Sequence, residues 1–315
     1  AELEARGAPE QTRTLTPVEE GRGRTRRDRV EGDGARVEVS RRPILINIEG
    51  TIGAGKSTLI ERLRERLAVH LGYSHLQRRR DAIYKLPEPV SRWQADGMLE
   101  RLYATIGEAN GQAVDEDIVP VDMGLFQCYA LATRFTQLAG ALNDLGAGEI
   151  LIQERSLASG RVFVNANLQE IDHAAYNAVD QALALALRQR GVEVDELWVF
   201  LDVPVQVALG RVRQRARPEE ADMTLEYLQR LGTAYADFAA ETDAWMATRD
   251  ASDGHPTRDR PWRFKIHVDA MATEWVLADR VARWVVAIAR ARDTDTWKER
   301  FVEEIVRAER GASAG

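Results

Sequence analysis

Apolar positions along the chain fall into two rhythms. Short, nearly unbroken apolar runs at 44–48, 149–153, 196–202 and 264–268 read as buried strands. A further strand is expected over 83–90, ending at a turn carried by Pro87 and Pro89. Between these runs the apolar residues recur at helical spacing, first as Leu59, Leu63, Leu67 and Leu71. The same spacing predicts helices over 91–106, 123–145, 172–190, 225–247, 272–290 and 295–310, with a polar loop over 107–122. Strands alternating with helices imply parallel pairing with helices on both faces, a doubly wound α/β sheet of about five strands.

The ends and one linker lack either rhythm. Residues 1–42 are rich in Arg, Glu, Gly and Thr and nearly devoid of large apolar side chains, so burial cannot offset their ordering entropy and they are expected to be disordered. Their arginines suit a mitochondrial presequence, but Glu2, Glu4, Glu10, Glu19, Glu20, Asp28 and Glu31 do not. Ala1 in place of an initiator Met points to a start further upstream. A polar linker is expected over 248–261, where Asp253-Gly254 and His255-Pro256 are turn signals. Trp297, Phe301 and Ile305 form a stripe on the last helix suited to packing on this chain or a second copy, and 311–315 should fray. The folded domain is therefore expected over 43–310.

Composition narrows the class. A chain of 315 residues with 44% hydrophobic content can bury a substantial core, and its net charge of −7 argues against coating nucleic acid. The single cysteine, Cys128, excludes an internal disulfide framework and suits a reducing compartment, the cytoplasm first. Five scattered histidines, with no second thiol, form no zinc pattern. No apolar run approaches the ~18 residues of a membrane span, so a soluble protein is expected.

The candidate chemistry begins after the first strand. Gly50, Thr51, Ile52, Gly53, Ala54, Gly55, Lys56, Ser57 and Thr58 form Gly-x4-Gly-Lys-Ser in a strand–loop–helix context. Glycines permit the turns that wrap backbone N–H groups round a phosphate, and the helix start adds its positive dipole end. Lys56 can reach the outer phosphates of ATP, and the Ser57 hydroxyl can ligate Mg²⁺.

Other candidates lie at later strand ends. Glu88, held extended between two prolines at a strand's carboxyl end, is placed to act as a general base. Phe126, Ala130 and Arg134 share a helical face, with Gln127 one step round, a set able to hold a nucleobase. Glu154 and Arg155 are opposite charges at a strand end, hard to bury unless paired or facing a charged ligand. Arg211, Arg213, Arg215 and Arg217 are crowded like charges best explained by a polyanion, and a helix would present them as two pairs on different faces.

Together these segments resemble the deoxyribonucleoside kinase family. The motifs carrying the resemblance are the Ile48 to Ser57 loop, Glu88-Pro-Val-Ser-Arg-Trp93, Leu99-Glu-Arg-Leu-Tyr103, Phe126-Gln127, Glu154-Arg-Ser156 with Arg161, and the arginine segment ending in Glu219-Glu220. They span about 44–231 in the family's order. The resemblance implies a P-loop kinase fold, Mg-ATP as donor, a deoxyribonucleoside phosphorylated at its 5′-hydroxyl, and a homodimer. It further implies Glu88 as the base, Trp93 lining the sugar and base pocket, and Tyr103 and Glu220 on the 3′-hydroxyl. Gln127 would hold the base over Phe126, Arg155 would sit by the 5′-oxygen, Glu154 would lie near Mg²⁺, and the four arginines would form a lid over ATP at 211–220.

Two departures bear on the base. In the family an arginine in the Phe-Gln helix pairs with an aspartate after Glu-Arg-Ser, or both positions are uncharged. Here they read Arg134 and Gly160, a mixture. The family's second aromatic falls at Val164, beside Phe163, which implies a looser base pocket. An Arg134 without an acidic partner can donate to acceptors such as O6 and N7, so a broad or purine-leaning specificity is expected. The alternatives are a thymidylate-type nucleoside monophosphate kinase and a non-catalytic structural subunit of the same fold.

Overall fold

The computed structural model describes residues 42–71, 82–109, 111, 117–167, 170–217, 220, 223–253 and 263–291. Five parallel strands form one sheet in the order β2-β3-β1-β4-β5: β1 (Ile44–Glu49), β2 (Ile83–Leu86), β3 (Ile150–Glu154), β4 (Asp195–Asp202) and β5 (Arg263–Asp269). The helices are α1 (Lys56–His70), α2 (Val90–Ala95), α3 (Met98–Ala109), α4 (Met123–Asp144), α5 (Gly160–Asn167), α6 (Glu170–Gln189), α7 (Val205–Arg215), α8 (Leu225–Asp253) and α9 (Glu274–Ala291). Among the described residues no helix is long and apolar enough to cross a membrane.

The central strands are covered on both faces, and their period of two decides what each face receives. Ile44, Ile46 and Ile48 of β1 join Ile150 and Ile152 of β3 in one core with Leu59, Leu63 and Leu67 of α1 and Val281 and Val285 of α9. The alternate residue Leu45 packs with Leu151, Leu138 and Leu142 under α4. Continuing that alternation, Asn47 and Glu49 are also buried, and Asn47 accepts a hydrogen bond of 2.5 Å from the Gln153 side chain. The register sets Ile48 beside Glu154 and Glu49 beside Phe200, so the strands end together and deliver polar side chains to one edge.

Three local readings are corrected. The helix expected over 91–106 is two, because Gly97 at φ +68 breaks the run between α2 and α3. The strand expected to reach residue 90 ends at Leu86, and Pro89 is the N-cap of α2. The helix expected to stop at 247 runs to Asp253, six residues into the expected linker, because no Gly or Pro stands between Ala247 and Gly254. The tail up to 41, the last helix over 295–310, the end 311–315 and Glu219 lie outside the described residues.

Leu63 is fully buried between α1 and the sheet. Leu63→Ala is expected to cost about 2–5 kcal/mol. A thermal melt followed by circular dichroism should show a fall of roughly 5–15 °C.

Candidate active site

A cavity of about 340 Å³ opens over the carboxyl ends of β1, β2 and β3. Its floor is the loop joining β1 to α1. Gly50, Gly53 and Gly55 take φ of +145°, +81° and +98°, the last serving as the N-cap of α1. A Cβ on Gly53 would stand 2.3 Å from the Ala208 carbonyl, so glycine there lets the loop seat against α7. Ile52, Gly53, Lys56 and Ser57 face the cavity. Gly50, Thr51, Ala54, Gly55 and Thr58 do not line it, but Gly50 and Thr51 offer their carbonyls to Lys56 Nζ at 3.2 and 2.8 Å. Burial, with the nearby Arg155 charge, pushes the Lys56 ammonium down to about 7 against the opposing pull of Glu154, Glu88 and Glu49. An anionic ligand on the loop reverses that pressure.

Ser57 and Glu154 meet at the loop's outer edge, the hydroxyl donating to Glu154 Oε2 over 2.9 Å. Two hard oxygen donors side by side, next to a loop shaped for phosphates, are a donor set that fits Mg²⁺, which takes few protein ligands and fills its shell with phosphate and water.

Arg155 ties this edge together. It follows β3 at φ +64°, a left-handed conformation that costs a non-glycine residue about 1 kcal/mol or more. Its backbone N–H donates to Ile48 O at 3.0 Å, extending the β1–β3 ladder, while its guanidinium donates to Gly50 O at 3.0 Å and to the Tyr235 hydroxyl from α8. Its Nε lies 3.5 Å from Glu88 Oε2. Burial works against the Arg155 charge, but Tyr235, Glu88, Glu154 and Glu49 hold it firmly protonated. Burial likewise opposes ionisation of Glu88, and the charges of Arg155, Arg134 and Lys56 outweigh it, holding the carboxyl below its usual range.

The opposite wall is aromatic and comes from α2, α4 and α5. Trp93 donates from Nε1 to Thr133 Oγ1 at 2.9 Å and meets Phe126 edge to face at 5.7 Å, so both rings are fixed. Gln127, Ala130 and Arg134 line the same wall, and Tyr103 and Glu220 also face the cavity. Glu220, with 8% of its side chain exposed, takes Arg215 in a two-point contact at 2.5 and 2.7 Å and has Arg217 at 3.6 Å.

The structure divides the predicted arginine set. Arg215 and Arg217 line the cavity; Arg211 and Arg213 do not. Arg211 is committed to two backbone carbonyls, Ala54 O at 3.1 Å and Ala270 O at 2.8 Å, and Arg213 is exposed on another face of α7. Nor are the four on one helix, since α7 ends at Arg215 and Ala216 turns left-handed at φ +48°, aiming Arg217 separately. Two base-pocket readings also change. Phe163 lines the cavity, its ring 4.8 Å from the Arg155 guanidinium, whereas Val164 is buried with Leu131 and Tyr176. The wall therefore keeps an aromatic side chain where a looser pocket was expected. Gly160 does not line the cavity, and Arg134 is less free than expected, donating from Nη1 to Ser156 O and Ser159 Oγ, both at 3.5 Å.

Several residues escaped sequence reasoning. Glu49, fully buried, accepts from Ser156 N at 2.8 Å and so shapes the turn after β3; burial pushes its carboxyl up. The alternation along β1 was its one signal. Tyr227 and Tyr235 are eight apart on α8, on one face, and Asn167 donates to Phe163 O at 2.9 Å and to Tyr227 at 3.4 Å beside the cavity. No local motif marks them.

Comparison with known proteins agrees with this geometry. The sequence model of the deoxynucleoside kinase family matches residues 46–259. A probable deoxycytidine kinase of fowlpox virus is 25% identical over 200 residues, covering 63% of this chain and 72% of that one. A mitochondrial NADH dehydrogenase 1 alpha subcomplex subunit 10 of Bos taurus is 26% identical over 216 residues, covering 65% and 57%. Among solved structures, a deoxyadenosine kinase from M. mycoides with bound dATP shares the fold at 21% identity, with a TM-score of 0.50, over 77% of this chain and 98% of that one.

Tyr235→Phe removes the hydroxyl acceptor of a buried guanidinium. It is expected to cost about 1.5–3 kcal/mol, read as a lower midpoint in thermal or urea unfolding. An unchanged midpoint would show that Arg155 does not depend on α8.

Proposed function

The chain belongs to the deoxynucleoside kinase family and is an enzyme that phosphorylates a deoxynucleoside; from that premise we propose how its own residues carry the transfer. The donor is ATP and the acceptor a deoxyribonucleoside 5′-hydroxyl, with a broad or purine-leaning choice of base. The observation that supports this most directly is the meeting of Glu88, Arg155, Lys56 and Glu154 at the cavity floor, between a phosphate-binding loop and an aromatic wall.

The nucleoside lies with its base against Phe126, between Trp93 and Phe163, with Gln127 and Arg134 at its edge. Tyr103 and Glu220 take the 3′-hydroxyl. Glu88, ionised because three cations surround it, accepts the 5′-hydroxyl proton as the oxygen bonds to the γ-phosphorus and the bond to ADP breaks. A carboxylate held this low is a weak base, which suits a reaction that depends more on positioning and charge compensation than on early proton removal. Arg155 orients Glu88 and faces the transferring group. Lys56 binds the outer phosphates, and Arg215 and Arg217 approach from the lid. Ser57 and Glu154 would hold Mg²⁺, which would supply charge neutralisation on the phosphates.

Release of the lid arginines from Glu220 is part of this reading. Both contact Glu220, so a 3′-hydroxyl that engages that carboxylate would compete with them and free them for ATP. A homodimer and the cytoplasm remain the proposed assembly and location, the first resting on the family resemblance and the second on Cys128 being the single cysteine of the sequence. The NADH dehydrogenase relative gives the structural-subunit reading one specific support. Against it, Lys56, Ser57, Glu88 and Arg155 are all present and gathered in one cavity.

With Mg-ATP and each of the four natural deoxyribonucleosides, ADP formation is expected for at least one. Glu88→Gln should lower kcat about 100-fold or more while nucleoside affinity changes little. Turnover of nucleoside monophosphates alone, or of nothing, would replace this reading with one of the two alternatives, and turnover of thymidine alone would end the purine preference.

A further inference from the structure

On the kinase reading just given, Arg155 faces the transferring group with its Nε 3.5 Å from Glu88, and it does so from a left-handed backbone at φ +64°. A non-glycine residue keeps such a conformation only where its surroundings over-determine it. An extended backbone at this position would carry the guanidinium away from Glu88 and from Gly50 O. Whatever selects the left-handed state is therefore part of the reacting arrangement.

Three successive residues at the end of β1 grip the turn. Ile48 O accepts from Arg155 N at 3.0 Å, Glu49 Oε1 accepts from Ser156 N at 2.8 Å, and Gly50 O accepts from the Arg155 guanidinium at 3.0 Å. The first bond holds the peptide before Arg155 and the second holds the peptide after it, so together they fix both backbone dihedrals of that residue. Past Ser156 the turn closes on itself, Ser159 N donating to Ser156 Oγ at 3.2 Å and Ser159 Oγ to Ser156 O at 2.8 Å. The Glu49 contact sets the direction in which this closed turn leaves β3.

Sheet formation alone does not call for Glu49. β1 is already paired along both edges, with β3 and with β4. The Glu49 side chain is fully buried, and its Oε2 has no hydrogen-bond partner among the described residues. An unmet buried acceptor is a cost that an apolar side chain would avoid, and at the edge of an active site it marks a task. Glu49 does not line the cavity, so that task is carried out through a neighbour.

We propose that Glu49 is a positioning residue for phosphoryl transfer: by accepting from Ser156 N it fixes the left-handed backbone of Arg155, and with it the aim of the guanidinium at Glu88 and the transferring phosphate. The contact needs an acceptor oxygen at the right reach. It does not need a charge, because a neutral carboxyl or amide carbonyl also accepts.

The test is kcat and KM with Mg-ATP and whichever natural deoxyribonucleoside the unaltered protein turns over fastest. Arg155 faces the group that moves, so loosening it should lower kcat while the KM values for nucleoside and ATP change little. Glu49→Asp keeps the charge but withdraws the oxygen from Ser156 N, and should lower kcat about tenfold or more. Glu49→Gln gives up the charge but keeps an oxygen within reach, and should hold kcat within about threefold. Glu49→Leu, which fills the space without an acceptor, should lose at least as much as Glu49→Asp. In an Arg155→Ala background it should lower kcat no further, because the group that it positions is gone. Losses that multiply across the two backgrounds, or a Glu49→Asp variant as active as the unaltered chain, overturn the positioning role while the kinase reading stands. If the Leu variants do not fold, the other pair decides alone, and Glu49→Gln losing as much as Glu49→Asp overturns it. No turnover of any natural deoxyribonucleoside by the unaltered protein removes both readings.

Discussion

Six charged side chains share one small, largely buried volume, and most of the surrounding structure exists to let them do so. Lys56, Arg134 and Arg155 face Glu49, Glu88 and Glu154, three charges of each sign, and four of the six are almost fully buried. Isolated, any one of them would be strongly penalised by loss of water. Together they compensate, and the directions of their shifts describe the balance: Lys56 is pushed down, Glu49 up, and Glu88 is held ionised.

This gathering follows from the sheet. Parallel strands ending in register present their last side chains at a single edge, and the alternation along β1 sends Ile48 into the core while Glu49 turns to the site. Arg155 then accepts a left-handed backbone, which its side-chain contacts with Gly50, Glu88 and Tyr235 hold in place. Those contacts offset the cost of the backbone conformation and of the buried charge, and so select one arrangement. That ties down the floor of the site, whereas Arg215, at the end of α7, and Arg217, just past it, contact Glu220.

Much of this was legible in the sequence because its causes are local. Strand and helix order came from periodicity, and the phosphate loop from its glycines and Lys56. The errors were local too, and each has a cause. Gly97 broke a helix that periodicity alone continued, and the helix past 247 ran on because nothing stopped it before Gly254.

By itself the sequence determined the parallel α/β order, the phosphate loop and the residue types able to move a phosphoryl group, since spacing and backbone preference act between near neighbours. Only the tertiary structure decided which of those residues face the cavity. Phe163 rather than Val164 lines it, a difference of one position and so of about 100° round a helix. Arg215 and Arg217 face it while Arg211 is spent on the carbonyls of Ala54 and Ala270. Tyr235 reaches Arg155 across 80 residues, and Tyr176 fills the space left by Gly160. Such contacts depend on how distant helices pack, and no pattern within a single segment encodes them.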